Sequence, residues 1–311
     1  MTVVVVAPGA DEHARAVVER LQASGVAARL FDTHRFPGEL RISLGADPAA
    51  IDLDGERVVP SSVYVRDLGL DAAGQHARLD DAMAGDWRRT MAALRERADF
   101  VLSIVHRWEA LGIPVYNPLS AFPRITKPYQ LALLAAADLP VPDSLWTNDP
   151  DAVRRFAAGR RIAYKPVAGG ALTKELLASD LEPARLDRLR ASPVCFQELL
   201  GGRDVRVYIV DGKVACAIEI GTGAIDFRQD EQSHTRFEPD AELRRICTRA
   251  TEVLGLRFTG MDLKADAAGR LKILELNPSP MFLGFDRRAG SDILGALCAA
   301  LAGRPTLATT A

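Results

Sequence analysis

The apolar positions of this chain follow two rhythms, and the switches between them mark its elements. Thr2–Ala7 is a continuous, mostly β-branched run, the pattern of a strand buried on both faces. Pro8-Gly9-Ala10 interrupts it. Residues 11–23 then carry Ala14, Val17, Val18 and Leu21 on one stripe, the period of an amphipathic helix, and Gly25 stops that helix. Residues 26–31 predict a second strand, so the start reads as a βαβ unit. Residues 39–44 and 51–59 predict a meander turning at Asp54-Gly55, and residues 63–65 a further short strand. A helical period covers 80–98, and residues 100–105 and 114–117 flank a short connection. Asn117-Pro118 and Pro123 then break the pattern, which sets a boundary near residue 121.

Beyond that boundary the period predicts a helix over 124–138, a strand over Ser144–Thr147, and a helix over 149–158 opened by Asn148 or Asp149. Strands follow at Ile162–Pro166 and 194–199. From residue 201 to 280 the rhythm is mostly that of antiparallel strands. Residues 205–210 and 214–220 flank Asp211-Gly212, a hairpin signature. A helix over 242–254 ends at Gly255. Phe258–Ala265 and residues 271–276 form a second hairpin, and residues 291–301 a closing helix, with a frayed Ala-rich tail after Ala299.

Composition narrows the classes. At roughly 100–200 residues per domain, 311 residues make two or three units. Apolar residues are 48%, charged residues 26%, and the formal net charge is −2. That balance excludes a bulk polycation for nucleic acid and an acidic disordered chain. No apolar stretch reaches ~18 residues, so no membrane span is expected. The opening run is too short for a signal peptide. Cys195, Cys216, Cys247 and Cys298 show no C-x-x-C and no zinc spacing, as expected of reduced thiols in a cytoplasmic protein. No G-x-G-x-x-G follows the first strand, so the dinucleotide fingerprint is missing.

The candidate chemistry lies in Gly260-Met261-Asp262-Leu263-Lys264 and Leu274-Glu275-Leu276-Asn277-Pro278-Ser279-Pro280. On alternating strands, residue 262 shares a face with 260 and 264, and residue 275 with 277. Asp262, Glu275 and Asn277 can thus converge as oxygen ligands for a hard cation such as Mg²⁺. A hairpin whose polar face meets water would show the same pattern. Lys127 and Lys165 each precede a proline, and Gly169-Gly170 follows Lys165-Pro166 as a flexible loop able to turn backbone N–H groups onto phosphates. Arg206 and Arg228 are candidate clamps for phosphate or carboxylate. His234, in a loop over 230–240, is a candidate base for an attacking hydroxyl.

The order of these elements resembles the ATP-grasp superfamily of carboxylate ligases over residues 121–285. Leu139-Pro140-Val141-Pro142-Asp143-Ser144-Leu145-Trp146-Thr147 is similar to that family's "G-x-P-x-P-x-T" connection, with Asp138 in place of the usual Gly. The Glu275-x-Asn277-Pro278-Ser279-Pro280 segment looks most like the RimK-like ligases. Asp11 to Leu21, Phe31 to Pro37, Thr147 to Pro150 and Asp226-Phe227-Arg228 are similar to MvdD-type ribosomal peptide maturases, the graspetide synthetases. There are departures. Tyr64-Val65-Arg66-Asp67 holds one Arg where a pair is expected, the Gly169 loop is short, and Met281 stands where many RimK-like ligases have Gly.

The resemblance implies an α/β (α+β) ATP-grasp fold with an N-terminal αβ domain (1–121), a central lid (122–200) and a C-terminal antiparallel-sheet domain (201–311). It implies ATP and Mg²⁺, with Mn²⁺ as a substitute. Lys127 and Lys165 would contact phosphates, Gln197, Glu198, Leu199 and Leu200 the adenine edge, and Asp204 the ribose. Asp262, Glu275 and Asn277 would hold the metal. Arg206 and Arg228 would stabilise the transferring phosphoryl group and the acyl phosphate. The implied activity is an ADP-forming ligase that macrocyclises a ribosomal precursor peptide through ester or amide links. The alternatives are a RimK-like ligase joining a small carboxylate and amine, and a non-catalytic ATP-binding regulator. A homo-oligomer, dimer or tetramer, is expected, with neither nucleic acid nor membrane as partner.

Overall fold

The computed structural model describes residues 2–70 and 76–304, with the backbone alone for residues 76–83. Strand β1 (Thr2–Ala7) leads into α1 (Glu12–Ala23), which returns to β2 (Ala27–Asp32). The Asp11 carboxylate caps α1 by accepting the Ala14 N–H at 2.8 Å. A meander of β3 (Ile42–Ser43), β4 (Ile51–Leu53) and β5 (Glu56–Val58) precedes β6 (Pro60–Val65). It turns at Asp54-Gly55 with φ of 54° and 86°, the left-handed pair that a tight hairpin needs. Helix α2 (His76–Ala110) then leads to β7 (Val115–Tyr116), and the parallel sheet runs β2-β1-β6-β7.

Helix α2 extends beyond the expected end at residue 98. It is interrupted at Asp86 (φ −149°, ψ 90°), whose carboxylate accepts the Arg89 N–H and caps the second stretch. Residues 100–105 therefore belong to a helix. Val101, Ile104, Val105 and Trp108 recur every three or four residues and are all buried against Val4 and Val6.

The helix expected over 124–138 is α3 (Lys127–Ala136), preceded by a 3₁₀ stretch over Leu119–Ile125. Asp138 leaves α3 with φ of 57°, a left-handed exit where glycine is the usual residue. The next layer holds β8 (Ser144–Thr147), α4 (Pro150–Ala157, capped by Asp149), β9 (Ile162–Pro166), β10 (Lys174–Glu175), α5 (Pro183–Leu186) and β11 (Val194–Glu198). Its antiparallel sheet runs β10-β9-β11-β8.

The last sheet is built from β12 (Asp204–Val210), β13 (Lys213–Gly221), β14 (Ser233–Arg236), then, after α6 (Ala241–Leu254), β15 (Phe258–Ala265) and β16 (Leu271–Asn277). Its order is β14-β13-β12-β15-β16, all antiparallel. Asp211-Gly212 turns the first hairpin with φ of 47° and 73°. His234 lies on β14 rather than in a loop. Helix α7 (Leu283–Ala289) was not anticipated, and the closing helix α8 (Ile293–Leu301) starts two residues later than expected. Residues 299–301 are still helical; the part of the expected frayed tail at 305–311 lies outside the described residues.

One face of this sheet packs on α6 and α3. The other shares a core with α8, α1 and β1, so the first and last of the described elements are packed together. No helix among the described residues is long and apolar enough to cross a membrane. All four cysteines are free and buried.

Candidate active site

The charged face of the last sheet is set by register. Arg206 of β12 is the Cα partner of Asp262 on β15, and Asp262 is the partner of Glu275 on β16. One level towards the start of β12, Asp204 pairs with Lys264; one level beyond, Tyr208 pairs with Gly260 and Gly260 with Asn277. The alternation that placed Asp262, Glu275 and Asn277 on one face thus brings them together.

The middle row is a line of alternating charge. Arg206 forks onto both Asp262 oxygens at 2.6 and 2.8 Å, and Lys127, the first residue of α3, meets Glu275 at 2.5 Å. Arg206 is 7% exposed, and its Nε has no partner. Gly260 makes room for it: a Cβ there would lie 2.7 Å from Arg206 Nη2 and 2.9 Å from Pro280 Cβ. Burial acts against the Arg206 charge, but Asp262, Tyr208 and Glu275 outweigh it and raise its pKa. Burial pushes the Asp262 pKa up, and the like charge of Glu275 adds to that, against the pull of Arg206 and Lys127.

Lys165, on β9, reaches the same space from the β10-β9-β11-β8 sheet. Its ammonium donates to Gln197 Oε1 at 3.2 Å, and Gln197 in turn donates to Ser144 Oγ at 2.8 Å. Burial lowers the Lys165 pKa, and Lys127 lowers it further, although Cys195, Glu275 and Asp262 pull the other way. Gly169 brings its loop close to Lys127, whose Nζ lies 3.9 Å from where a Cβ would stand.

The expected adenine edge is partly committed to the fold. The Glu198 N–H donates to the Asp143 carbonyl and the Leu199 N–H to the Arg161 carbonyl, at 3.0 and 2.9 Å. The Glu198 carboxylate accepts from the Asp143 N–H and from Lys272. Asp204 is buried and bound to Lys264 at 2.5 Å, and burial raises its pKa against that bond.

Arg228 sits on a one-turn 3₁₀ helix, half-exposed, forked onto Asp226 at 2.8 and 2.5 Å. Asp226 also accepts the Thr173 N–H at 2.9 Å, and Arg228 reaches the Ala171 carbonyl at 3.4 Å, so this pair fastens the loop between β9 and β10. His234 faces Glu231 at 3.1 Å and Arg288 at 3.3 Å instead of the charged rows.

The residues expected to contact phosphate, adenine, ribose, metal and the transferring group, from Lys127 to Asn277, line one cavity of about 380 Å³; His234, the candidate base, does not. The cavity also takes in Asp226, Lys264, Thr173, Phe227, Phe285 and Met281, to which no role had been assigned. Lys264 shares the alternation of Asp262, so the same rhythm could have found it.

The donor set suits a hard divalent cation. Asp262 and Glu275 are adjacent carboxylates that repel each other. The Asn277 amide oxygen accepts the Ser279 N–H at 3.0 Å and keeps a second lone pair. Among the described residues no three His, Cys, Asp or Glu side chains form a metal cluster, and the expected set is two carboxylates and an amide.

Residues 127–301 match the RimK-like ATP-grasp domain. The chain is similar to a probable alpha-L-glutamate ligase of Shewanella halifaxensis, with 27% identity over 209 residues, covering 63% of this chain and 45% of that protein. It therefore spans about half the length of that curated relative. Among solved structures it is similar to the ATP-grasp ligase PsnB complexed with a phosphomimetic variant of its minimal precursor, Mg and ADP. That match has 50% identity over 97% of each chain and a TM-score of 0.90. The macrocyclase MdnC of Microcystis aeruginosa, bound with precursor peptide MdnA, shares the fold at 21% identity. The TM-score there is 0.77, over 97% of this chain and all of that one.

Proposed function

The chain belongs to the RimK-like ATP-grasp family, and on that premise we propose that it is an ADP-forming, Mg²⁺-dependent ligase that joins a carboxylate to a hydroxyl or amine within a precursor peptide. The observation that carries this reading is the row Arg206, Asp262, Glu275, Lys127 inside one cavity, with Lys165 facing it. PsnB, solved with a precursor peptide and AMPPNP at 48% identity, supports the substrate class.

A carboxylate is a poor electrophile because its leaving group would be an oxide. In the proposed reaction a carboxylate oxygen of the peptide attacks the γ-phosphorus of ATP, ADP leaves, and the peptide carries an acyl phosphate. A hydroxyl or amine then attacks the carbonyl carbon, phosphate departs with the bonding pair, and the nucleophile gives up its proton.

Little covalent work falls to the protein, so positioning and charge neutralisation dominate. Lys127 and Lys165 would neutralise phosphate oxygens, and Arg206 and Arg228 the equatorial charge of the transferring group. Gln197 holds Lys165 in place. Backbone groups of residues 197–200 left outside the ladder would meet the base, since the Glu198 and Leu199 N–H groups are already bonded. Asp262, Glu275 and Asn277 would hold Mg²⁺, which supplies Lewis-acid charge at the phosphates. The division into 1–121, 122–200 and 201–311, and assembly as a dimer or tetramer, belong to the same proposal.

The test is incubation with ATP, Mg²⁺ and any short acid- and Thr-rich peptide found encoded next to this protein's gene. The expected product has lost one water mass per link, with ADP released in step. An unchanged peptide mass, together with turnover on free amino acids, would favour ligation of two small molecules and overturn the peptide reading.

A further inference from the structure

Met281 is the most exposed large apolar side chain among the described residues, at 64%, and it stands on the wall of the charged cavity. Its backbone is fixed on all sides. The Met281 carbonyl accepts the Tyr208 hydroxyl. The Pro280 carbonyl before it accepts Arg66 at 2.8 Å, and Arg66 also holds the Ser279 carbonyl at 2.7 Å. After it, Phe282 is wholly buried and stacks edge-on against His13 at 4.6 Å. Lack of hydrogen bonding or packing nearby does not account for this exposure. A rigid backbone that projects an apolar side chain at the rim of a polar cavity is the geometry of a binding anchor.

The surroundings say what it would grip. Phe285 is nearly buried, and Phe227 and Ile225 are partly buried; all three line the same cavity. The Arg206 guanidinium lies 5.4 Å from the Tyr208 ring and 5.8 Å from the Phe285 ring. This wall therefore offers apolar surface within reach of a clamp for a carboxylate. Methionine, unbranched and polarisable, suits an apolar partner of variable shape.

We propose that Met281 is a specificity-determining residue that packs on an apolar side chain next in sequence to the carboxylate being joined. The site would then select an acidic residue flanked by Leu-like neighbours over one flanked by glycine. The inference rests on the ligase reading for the fate of that carboxylate and deepens it by naming the carboxylate's neighbours.

The experiment measures binding, so it needs no turnover. Fluorescein-labelled synthetic peptides Ala-Leu-Glu-Leu-Ala and Ala-Gly-Glu-Gly-Ala are titrated with the full chain, Mg²⁺ and a non-hydrolysable ATP analogue, and followed by fluorescence polarisation. The unaltered protein is expected to prefer the Leu-flanked peptide by about tenfold, the scale of one buried apolar contact. Met281→Leu should keep that preference to within about twofold. Met281→Gly and Met281→Ser should abolish it while leaving the affinity for the Gly-flanked peptide unchanged. Two truncations are used because glycine also loosens the backbone, and thermal melting of each reports its fold. Absence of preference in the unaltered protein, failure to bind either peptide, or a preference that survives both truncations overturns the proposal. Failure of the ligase reading shows separately, as absence of peptide-dependent ADP release.

Discussion

On one side of the charged cavity stands a ladder of paired strands; on the other, a loop leans across it. Each site residue of β12, β15 and β16 occupies one rung, and register alone fixes its neighbours. The loop between β9 and β10 passes through Gly169 and Gly170, with φ of 99° and 89°, and is fastened to the far wall through Asp226 and Arg228. The two arginines measure the contrast: the Arg206 side chain is 9% exposed and that of Arg228 is 52%. Charge is pre-organised on the ladder, whereas the loop is tied down by only a few hydrogen bonds.

The largest effect is expected at the ladder. Asp262→Ala leaves Arg206 charged and buried with no carboxylate, which should cost about 3 kcal/mol in urea unfolding and abolish ADP release. An unchanged urea midpoint would mean that the pair does not organise this wall.

A pair of glycines sharpens the contrast. At Gly260 an added methyl meets Arg206 and Pro280 below 3.0 Å, whereas at Gly170 it meets nothing within 4 Å and strains only the left-handed φ. Gly260→Ala should cost about 2 kcal/mol with at least tenfold slower turnover, and Gly170→Ala about 1 kcal/mol. Thermal melting and ADP release measure both, and equal costs would erase the distinction.

The smallest effect concerns the fastening of that loop. Burial pushes the Asp226 carboxyl upward, but the bonds from Arg228 and from the Thr173 N–H outweigh it and bring its pKa to about 2, against an unperturbed 3.8. A depressed carboxyl stabilises fully above the unfolded value, and that contribution is lost as pH falls through the folded one. Asp226→Asn should therefore be less stable by about 1 kcal/mol at neutral pH, and the difference should shrink between pH 4 and pH 2. A difference that stays constant across that window would separate the fastening from ionisation of Asp226.

Much of the ladder was legible in the sequence because its information is local. Alternation on two strands joined by a short turn is enough to bring Asp262, Glu275 and Asn277 to one face, and the same rhythm would have added Lys264. Residues 100–105 misled for the opposite reason. A short apolar run fits either period, and only Trp108, lying beyond it, completes the helical stripe. Arg66 and Ser279 are 213 positions apart, so no local pattern could join them. Asp226 was visible as part of a motif, but its hold on Thr173 depends on a loop crossing between two layers. Met281 departs from a family pattern in the sequence; its exposure on a hydrogen-bonded backbone is a property of the folded surface alone.

The packing of α8 against α1 and β1 also bears on how the molecule comes into being. Val3, Val5, Ala14 and Val17 share one core with Leu297 and Leu301. At about 5–20 residues per second, ribosomal synthesis needs on the order of tens of seconds to travel from the first of these to the last. Through that interval the opening valine strand is without part of its cover. The nascent chain must be shielded, or tolerate a half-finished face, until α8 emerges.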